Sequence, residues 1–289
     1  MPALLVLLAV TAVWGVTFVQ VKDAVAIYPL FAFLALRFGI ATLALAVPGA
    51  GRLRTLGRPG WAAAVFTGLL LAAGYTLQTA GLDRTTVSSA GFITGMYVVL
   101  TPLLALALFR LRAARAAWAG VALATAGLAL LSGVDAGSPG GDLLVLAGAA
   151  VYSLQIVLME RFAPLYDAVA FTLVEMLAAF VALGVLAIPV YEVPRGRTVW
   201  AALLVTGVFA SALAFLAQTW AQRRTSATRT AVVFTLEPAW AALFGYTLAG
   251  DRLGALGWIG CIVIMGGILL AEPAAATVLV RLVRRPAPA

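Results

Sequence analysis

The chain has 289 residues, of which 64% are hydrophobic and 10% are charged, and its mean hydropathy is +1.08. A water-soluble domain is about half apolar and about a quarter charged, so this composition excludes water as the main solvent of the surface. Histidine is absent and Cys261 is the single cysteine, which excludes a disulfide within the chain and a Cys/His metal or catalytic site. The net charge of +8 does not indicate nucleic acid, because the arginines lie in short loops between apolar runs.

Ten apolar runs, separated by charged residues, proline and glycine, predict ten transmembrane helices. A helix needs about 20 apolar residues to cross a bilayer, and it satisfies its own backbone hydrogen bonds in lipid. The first run continues to Val21 with no basic residue before it, so we expect a retained span and not a cleaved signal peptide. The predicted spans are 2–21, 28–47, 60–81, 87–109, 115–132, 142–159, 168–190, 199–220, 228–249 and 255–271.

The distribution of basic residues predicts that both termini face the cytoplasm, as in a multi-pass protein of the inner cell membrane. With this orientation most loop arginines are cytoplasmic. The basic residues of the outer loops are then Lys22, Arg84, Arg195, Arg197 and Arg252. We expect residues 273–289 to form a basic cytoplasmic tail that anchors this topology, and contact of the tail with anionic lipid is the alternative.

The two halves of the sequence repeat each other at a nearly constant spacing. The pairs 140 residues apart are Gln78 with Gln218, Thr79 with Thr219, Arg84 with Arg224, Thr85 with Thr225, Trp118 with Trp258 and Gly127 with Gly267, and Pro102 matches Pro238 at a spacing of 136. We therefore predict a single transmembrane domain, 1–272, built from a first half, 1–138, and a second half, 139–272. Because five spans per half is an odd number, the second half is predicted to be inverted in the membrane relative to the first.

Several segments resemble the EamA-type branch of the drug/metabolite transporter superfamily. The segment from Arg224 to Pro238, in which Glu237 directly precedes Pro238, is similar to a signature of that family, and so are Trp14-Gly15, Leu36-Arg37-Phe38 and Phe92 to Pro102. The likeness extends to about Ala271. It implies an all-α, ten-helix bundle around a central cavity that is lined mainly by spans one, three, four, six, eight and nine. It also implies export or facilitated passage of amino acids and related metabolites, usually without ATP.

Polar and aromatic side chains share helix faces in the spans that the resemblance assigns to the cavity. Thr94, Tyr97 and Thr101, for example, are three and four residues apart, which is one face of a helix. Hydroxyl, amide and aromatic groups suit an amphipathic metabolite, and interhelical hydrogen bonding is the alternative for each of them. The predicted substrate-binding residues are Trp14, Thr17, Gln78, Thr94, Tyr97, Thr101, Tyr152, Gln155, Gln218 and Phe234.

Three charged residues lie in the interior of predicted spans, away from the span ends, where a charge costs about 2.5 kcal/mol or more. Glu237 is the candidate for proton coupling, and the alternative is a structural carboxylate that caps the helix break at Pro238 or pairs with an arginine. Arg37 and Glu175 occupy equivalent positions of the two halves. For them we predict a structural charge pair or snorkelling to the interface.

Together these features predict a secondary transporter that exports amino acids or related amphipathic solutes by alternating access, with proton coupling as an option. Import, or facilitated passage of a nucleobase, drug-like or sugar-derived solute, remains the alternative, because an inverted repeat gives no direction. An intramembrane enzyme and a membrane receptor or assembly protein are more distant alternatives. The expected partners are a small-molecule metabolite and the lipid bilayer. No nucleic acid, no cofactor and no ATP are expected, since the sequence has no Walker-type loop, and both a monomer and a homodimer remain open.

Overall fold

The structure is a computed structural model that describes residues 2–85, 87–132, 138–244 and 254–271. Within these ranges the chain forms helices joined by short turns and loops, and no β-strand occurs among them. Arg252 and the predicted basic tail, 273–289, lie outside the described residues, as does the end of the predicted span 228–249.

The helices of the described residues follow one another along nearly the whole chain. Short 3-10 turns follow α2, α7 and α8, and a nine-residue π-helix, π1, joins α9 to α10. The helices are α1 (Pro2–Val25), α2 (Leu30–Gly49), α3 (Gly57–Leu82), α4 (Val87–Gly95), α5 (Tyr97–Phe109), α6 (Arg115–Ser132), α7 (Pro139–Phe162), α8 (Ala168–Ala187), α9 (Gly196–Leu204), π1 (Val205–Leu213), α10 (Ala214–Gln222), α11 (Ala227–Phe234), α12 (Leu236–Phe244) and α13 (Ala255–Ala271).

Among the described residues, six helical stretches are long and apolar enough to cross a membrane. They are Pro2–Val25, Leu30–Thr55, Gly57–Leu82, Pro139–Leu165, Ala168–Val190 and Gly196–Gln222, and three shorter apolar helices, Ile93–Phe109, Arg115–Leu130 and Ala255–Ala271, accompany them. Large apolar side chains such as Val47, Ile188 and Ile262 are more than two-thirds exposed on the outer surface of the bundle. An exposed apolar surface of this kind is stable in lipid and not in water, so the chain is a multi-pass membrane protein.

Two of the predicted spans contain a break that the sequence pattern did not predict. The predicted span 87–109 is divided at Met96 into α4 and α5, and the span that begins at 228 is divided at Thr235 into α11 and α12. At each break an i to i−3 hydrogen bond tightens the chain, from Met96 N to Ile93 O and from Thr235 N to Val232 O. Pro102 and Pro238 follow within two turns, and a proline weakens the helix before it because it donates no backbone hydrogen bond.

Helices of the first half pack mainly on helices of the second half. α3 lies against α7 and α8, α2 lies against α8 and π1, and α1 lies against α10 and α12. The buried side chains therefore form apolar clusters that combine residues from both halves, such as Phe33 of α2 with Met176 of α8. This arrangement leaves the interior of the bundle at the interface between the two halves.

The backbones of α6 and α13 approach each other closely. A Cβ atom added to Gly120 would lie 2.6 Å from the carbonyl oxygen of Gly267, and one added to Gly127 would lie 2.7 Å from that of Gly260. The later glycine of α6 contacts the earlier glycine of α13, so the two helices are antiparallel. Small residues are common at such interfaces in membranes, because they let the backbones come close.

This packing predicts that a methyl group at Gly267 will destabilise the protein while one at its neighbour will not. An added Cβ at Gly267 would lie 2.8 Å from the Gly120 oxygen, whereas one at Gly266 would meet nothing within 4 Å. We expect Gly267→Ala to lower the free energy of unfolding by about 1–3 kcal/mol, since the helices must separate. The control, Gly266→Ala, should leave the melting temperature in detergent unchanged or slightly higher. Equal melting temperatures for both variants would contradict the close α6–α13 contact.

Candidate functional site

A cavity lies inside the bundle between helices of the two halves. Its empty space, including the open part at its mouth, is about 670 Å³, which limits an occupant to a small molecule. Along α1 the lining reaches Val21 and along α3 it reaches Leu82, so the cavity extends toward the end of the bundle where these two helices end. The lining residues are Trp14, Thr17, Phe18, Val21, Arg37, Tyr75, Gln78, Thr79, Leu82, Thr94, Tyr97, Tyr152, Gln155, Ile156, Phe215, Gln218, Phe234 and Glu237.

The structure brings most of the predicted site residues together around this cavity. The members that line it are Trp14, Thr17, Gln78, Thr94, Tyr97, Tyr152, Gln155, Gln218, Phe234, Glu237 and Arg37. Thr101 does not line it. Thr101 is fully buried, and its hydroxyl has no hydrogen-bond partner among the described residues. Glu175 also lies outside the cavity, although it accepts a hydrogen bond from the lining residue Gln155.

Aromatic rings form much of the wall. The ring of Trp14 lies 4.9 Å from that of Phe234 and 5.5 Å from that of Phe215, and the ring of Tyr75 lies 5.4 Å from that of Tyr152. These tilted and edge-to-face contacts fix the rings and leave an apolar surface on the cavity.

Tyr75 and Phe215 are cavity residues that the sequence interpretation missed. Each lies three residues before a predicted glutamine, Gln78 on α3 and Gln218 on α10, and therefore on the same helix face. The same spacing rule that selected Thr94 and Tyr97 could have identified both aromatic residues.

Two chains of hydrogen bonds connect the polar groups of the wall. In the first, the Tyr152 hydroxyl donates to Gln78 Oε1 at 3.1 Å, and Gln78 Nε2 donates to Thr94 Oγ1 at 3.0 Å. In the second, Gln218 Nε2 donates to Gln155 Oε1 at 3.0 Å. These bonds fix the orientation of the amides in the cavity wall.

The second chain of hydrogen bonds ends at a buried carboxyl group behind the wall. Gln155 Nε2 donates to Glu175 Oε1 at 3.2 Å, and the other oxygen of Glu175 has no partner among the described residues. Gln218 Nε2 is shared with Gln222, whose own amide donates to the Ile156 carbonyl. Glu175 therefore acts on the cavity through the orientation of Gln155 and does not face it directly.

The carboxyl group of Glu237 lies at a helix break that also positions Tyr97. Pro238 provides no N–H group for the carbonyl of Phe234, four residues earlier. That carbonyl accepts a hydrogen bond from the Tyr97 hydroxyl at 2.7 Å, and Glu237 Oε2 lies 3.4 Å from the same hydroxyl. Because the hydroxyl has one proton, the shorter bond to the carbonyl leaves the carboxyl group of Glu237 available to the cavity.

The predicted charge pair of Arg37 with Glu175 does not form. Arg37 Nε donates to Ser211 Oγ at 2.8 Å and Arg37 Nη2 donates to the Tyr75 hydroxyl at 3.1 Å, whereas Glu175 bonds to Gln155. The prediction was wrong because α2 and α8 turn these equivalent side chains toward different neighbours, π1 and α3 for Arg37 and α7 for Glu175. The single ion pair of the described residues joins Arg52 to Asp167 at 3.4 Å, outside the cavity.

The acidic side chains of the described residues are too dispersed to hold a metal ion: no group of three or more His, Cys, Asp or Glu occurs among them. The polar chemistry of the cavity is thus that of amides, hydroxyls, one guanidinium group and one carboxyl group.

Comparison with known proteins identifies the family of this fold and cavity. Residues 1–133 and residues 139–272 each match the EamA-like transporter family. The chain belongs to this family. Two matches in tandem also mean that the two halves are copies of one family unit, as the repeated residues indicate.

Relatives that match across nearly the whole length are named as transporters. The chain is 31% identical over 262 residues to an uncharacterized transporter of Archaeoglobus fulgidus, a match that covers 90% of this chain and 82% of the relative. It is 27% identical over 272 residues to the uncharacterized inner membrane transporter YedA of Escherichia coli K12, which covers 91% and 88% of the two chains. A solved structure described as "Crystal structure of protein" has the same fold, with a TM-score of 0.79 over 95% of this chain and 22% identity.

Proposed function

We propose that this transporter is a secondary exporter of small metabolites, with amino acids or related amphipathic solutes as substrates, and that it works by alternating access. The observation that carries the proposal is the cavity between the two halves, with walls from α1 to α5 of one half and from α7, α10, α11 and α12 of the other. A site at the interface of two repeats is exposed alternately to the two sides when the repeats move against each other.

The proposed architecture has ten transmembrane helices in two inverted repeats. In it, α4 with α5, α9 with π1 and α10, and α11 with α12 each count as one broken span. The antiparallel contact of α6 with α13 supports the inversion, because these two helices are the last of their respective halves. Further support comes from the symmetry of this contact. Gly120 of α6 is equivalent in the repeat to Gly260 of α13, and Gly127 is equivalent to Gly267. Each glycine of α6 contacts the equivalent of the other one: Gly120 contacts Gly267, and Gly127 contacts Gly260. A twofold axis in the membrane plane would produce this symmetry.

The inverted topology predicts that Arg84 and Arg224 lie on opposite sides of the membrane. Both are exposed loop residues at equivalent ends of the two halves. In a Cys261→Ser background, we expect a cysteine at position 84 to react with a membrane-impermeant maleimide added to intact cells. A cysteine at position 224 should react only after the cells are opened. Labelling of both positions from the same side would exclude the inverted arrangement.

The chemistry of the wall supports a small amphipathic substrate. Amides of Gln78, Gln155 and Gln218 offer donors and acceptors, and the rings of Trp14 and Phe215 offer apolar contact. Such a combination binds the polar end and the side chain of an amino-acid-like solute at the same time. The excess of loop arginines on one side supports cytoplasmic termini, and the name of the E. coli relative supports an inner-membrane location. Import remains the alternative direction.

We expect purified protein in lipid vesicles to catalyse counterflow of leucine, phenylalanine or threonine, and not of adenine, which represents the nucleobase alternative. Trp14→Ala should lower the counterflow rate at least about tenfold, equivalent to about 1.4 kcal/mol, because the ring contacts two other lining residues. Trp118→Ala is the matched control, since this tryptophan lies on the outer surface of α6. If vesicles with the wild-type protein exchange no solute faster than empty vesicles, the transport proposal fails.

For Glu237 we propose proton coupling, since it is the carboxyl group that lines the cavity. Glu237→Gln keeps the size and polarity of the side chain but cannot bind and release a proton. We expect the variant to retain counterflow and to lose the acceleration that an imposed pH gradient gives to the wild-type protein. Glu192→Gln, in the exposed loop before α9, is the control and should respond to the gradient as the wild-type protein does. A gradient response that survives in the Glu237 variant would remove this residue from the coupling mechanism.

A further inference from the structure

The second half has one residue more than the first in the helix that contains π1. Trp61, Thr67 and Gly68 of α3 match Trp200, Thr206 and Gly207 at a spacing of 139, whereas Gln78 and Thr79 match Gln218 and Thr219 at a spacing of 140. The additional residue therefore falls between Gly207 and Gln218, where π1 lies. A π-helix has a wider turn than an α-helix, so it absorbs an inserted residue without rotating the helix ends.

The contacts of these residues support the same alignment. Thr67 and Thr206 both donate to the carbonyl four residues earlier, that of Ala63 and that of Ala202. Gly68 lies against the Glu175 carbonyl and Gly207 against the Arg37 carbonyl, and Arg37 and Glu175 are equivalent positions of the two halves. The halves thus superpose up to the glycine and differ by one residue after it.

The insertion provides polar groups that hold two cavity-lining residues, and the first half lacks these groups. Ser211 of π1 accepts the bond from Arg37 Nε at 2.8 Å, and the Ala210 carbonyl accepts the indole N–H of Trp14 at 2.8 Å and lies 3.5 Å from Arg37 Nη2. The corresponding part of α3, 69–73, contains only leucine and alanine. Segments of π-helix inside α-helices often lie at functional sites, and this one holds two lining residues, Trp14 and Arg37.

Arg37 is a buried cation that forms no direct ion pair among the described residues, and the acidic group that acts on it electrostatically is Glu237, in the same cavity wall. The side chain of Arg37 is 3% exposed, and it lies over the ring of Tyr75 at 4.3 Å. The Nε and Nη2 groups of Arg37 donate to Ser211, Tyr75 and Ala210, whereas Nη1 has no protein partner in the described part of the chain. Arg37 also lines the cavity, so its guanidinium group is within reach of a solute there. An unpaired charge in a membrane interior is costly, and it persists where it serves binding.

We propose that π1 holds Arg37 as the residue that binds the carboxylate of the solute. The inference rests on the proposed transport function and specifies the group by which the cavity recognises its substrate. A guanidinium group with free N–H donors matches a carboxylate in shape and charge. A dianion such as phosphate is disfavoured, because the single cation shares the cavity with Glu237. The aromatic wall accommodates the apolar part of the same molecule.

The test compares acids with their uncharged amides in binding to the purified protein by calorimetry. The pairs are phenylalanine with phenylalaninamide and benzoate with benzamide. The wild-type protein should bind at least one acid about tenfold or more tightly than its amide. Arg37→Gln should lower the affinity for that acid by about tenfold to a hundredfold. The affinity for the amide should change by less than about twofold, because a neutral group does not form the charge-assisted bond that a carboxylate forms with Arg37. A general loss of structure would weaken both members of the pair.

Further variants separate the role of π1 from that of the charge. Deletion of Phe209, whose side chain is half exposed on the outer surface, removes the additional residue of π1 and should reduce the preference for acid as strongly as Arg37→Gln. Ser211→Ala should reduce it partially, and Arg37→Lys should retain part of it. Arg52→Gln, in a loop and outside the cavity, is the control and should keep the wild-type preference. Folding of each variant is checked by its melting temperature, and the two single substitutions at position 37 suffice if the deletion variant does not fold.

The outcomes distinguish the two proposals. If the wild-type protein binds no acid of the panel, binds acid and amide equally, or keeps its preference in Arg37→Gln, the carboxylate site is excluded. Counterflow that continues in the same preparation would then leave the transport function intact. Absence of counterflow with a preserved, Arg37-dependent preference for acids would instead exclude transport and keep the binding site.

Discussion

Every polar group that lies inside a lipid bilayer needs a partner within the protein, and this constraint explains where the cavity is. Regular helices satisfy their own backbone groups, so unpaired groups arise only where a helix is interrupted. The Pro238 break leaves the Phe234 carbonyl to Tyr97, and π1 leaves the Ala210 carbonyl to Trp14. Both interruptions adjoin the cavity, because irregular backbone at membrane depth is tolerated only where side chains or an internal space surround it.

A nearly symmetric pair of halves thus carries a chemically asymmetric site. The repeated glycines of α6 and α13 form matching helix contacts, and the repeated glutamines of α3 and α10 occupy equivalent positions in the cavity wall. The charged positions differ between the halves, since Glu237 corresponds to Thr101 and Arg37 corresponds to Glu175. Symmetry provides the interface between the halves, and the asymmetric residues Arg37 and Glu237 are the charged groups that line the cavity.

The sequence predicted the helices from their apolar runs. It predicted most of the cavity wall by combining the spans that the family resemblance assigns to the cavity with the helix periodicity that places residues three and four apart on one face. Trp14, Gln78 and Tyr152 were identified in this way. It failed where the outcome depends on side-chain direction: periodicity could not say that Arg37 turns to Ser211 and away from Glu175, or that Thr101 is buried outside the cavity. The π-helix is a different case, because the repeat contains a signal for it. The spacing between equivalent residues of the two halves changes from 139 to 140 along this helix, which indicates one inserted residue.

The hydrogen bonds around the cavity fall into two groups that have different meanings for a transport cycle. Bonds such as Gln78 with Thr94 and Gln155 with Gln218 lie within one half and can survive a movement of the halves as rigid units. The bonds of Arg37 with Ser211 and of Tyr152 with Gln78 join the two halves. In the proposed cycle the halves must break or bend these bonds, whose donors and acceptors face the solute site. A solute that takes over one of them replaces a contact between the halves with a contact to itself, so binding would directly change the balance between the two open states.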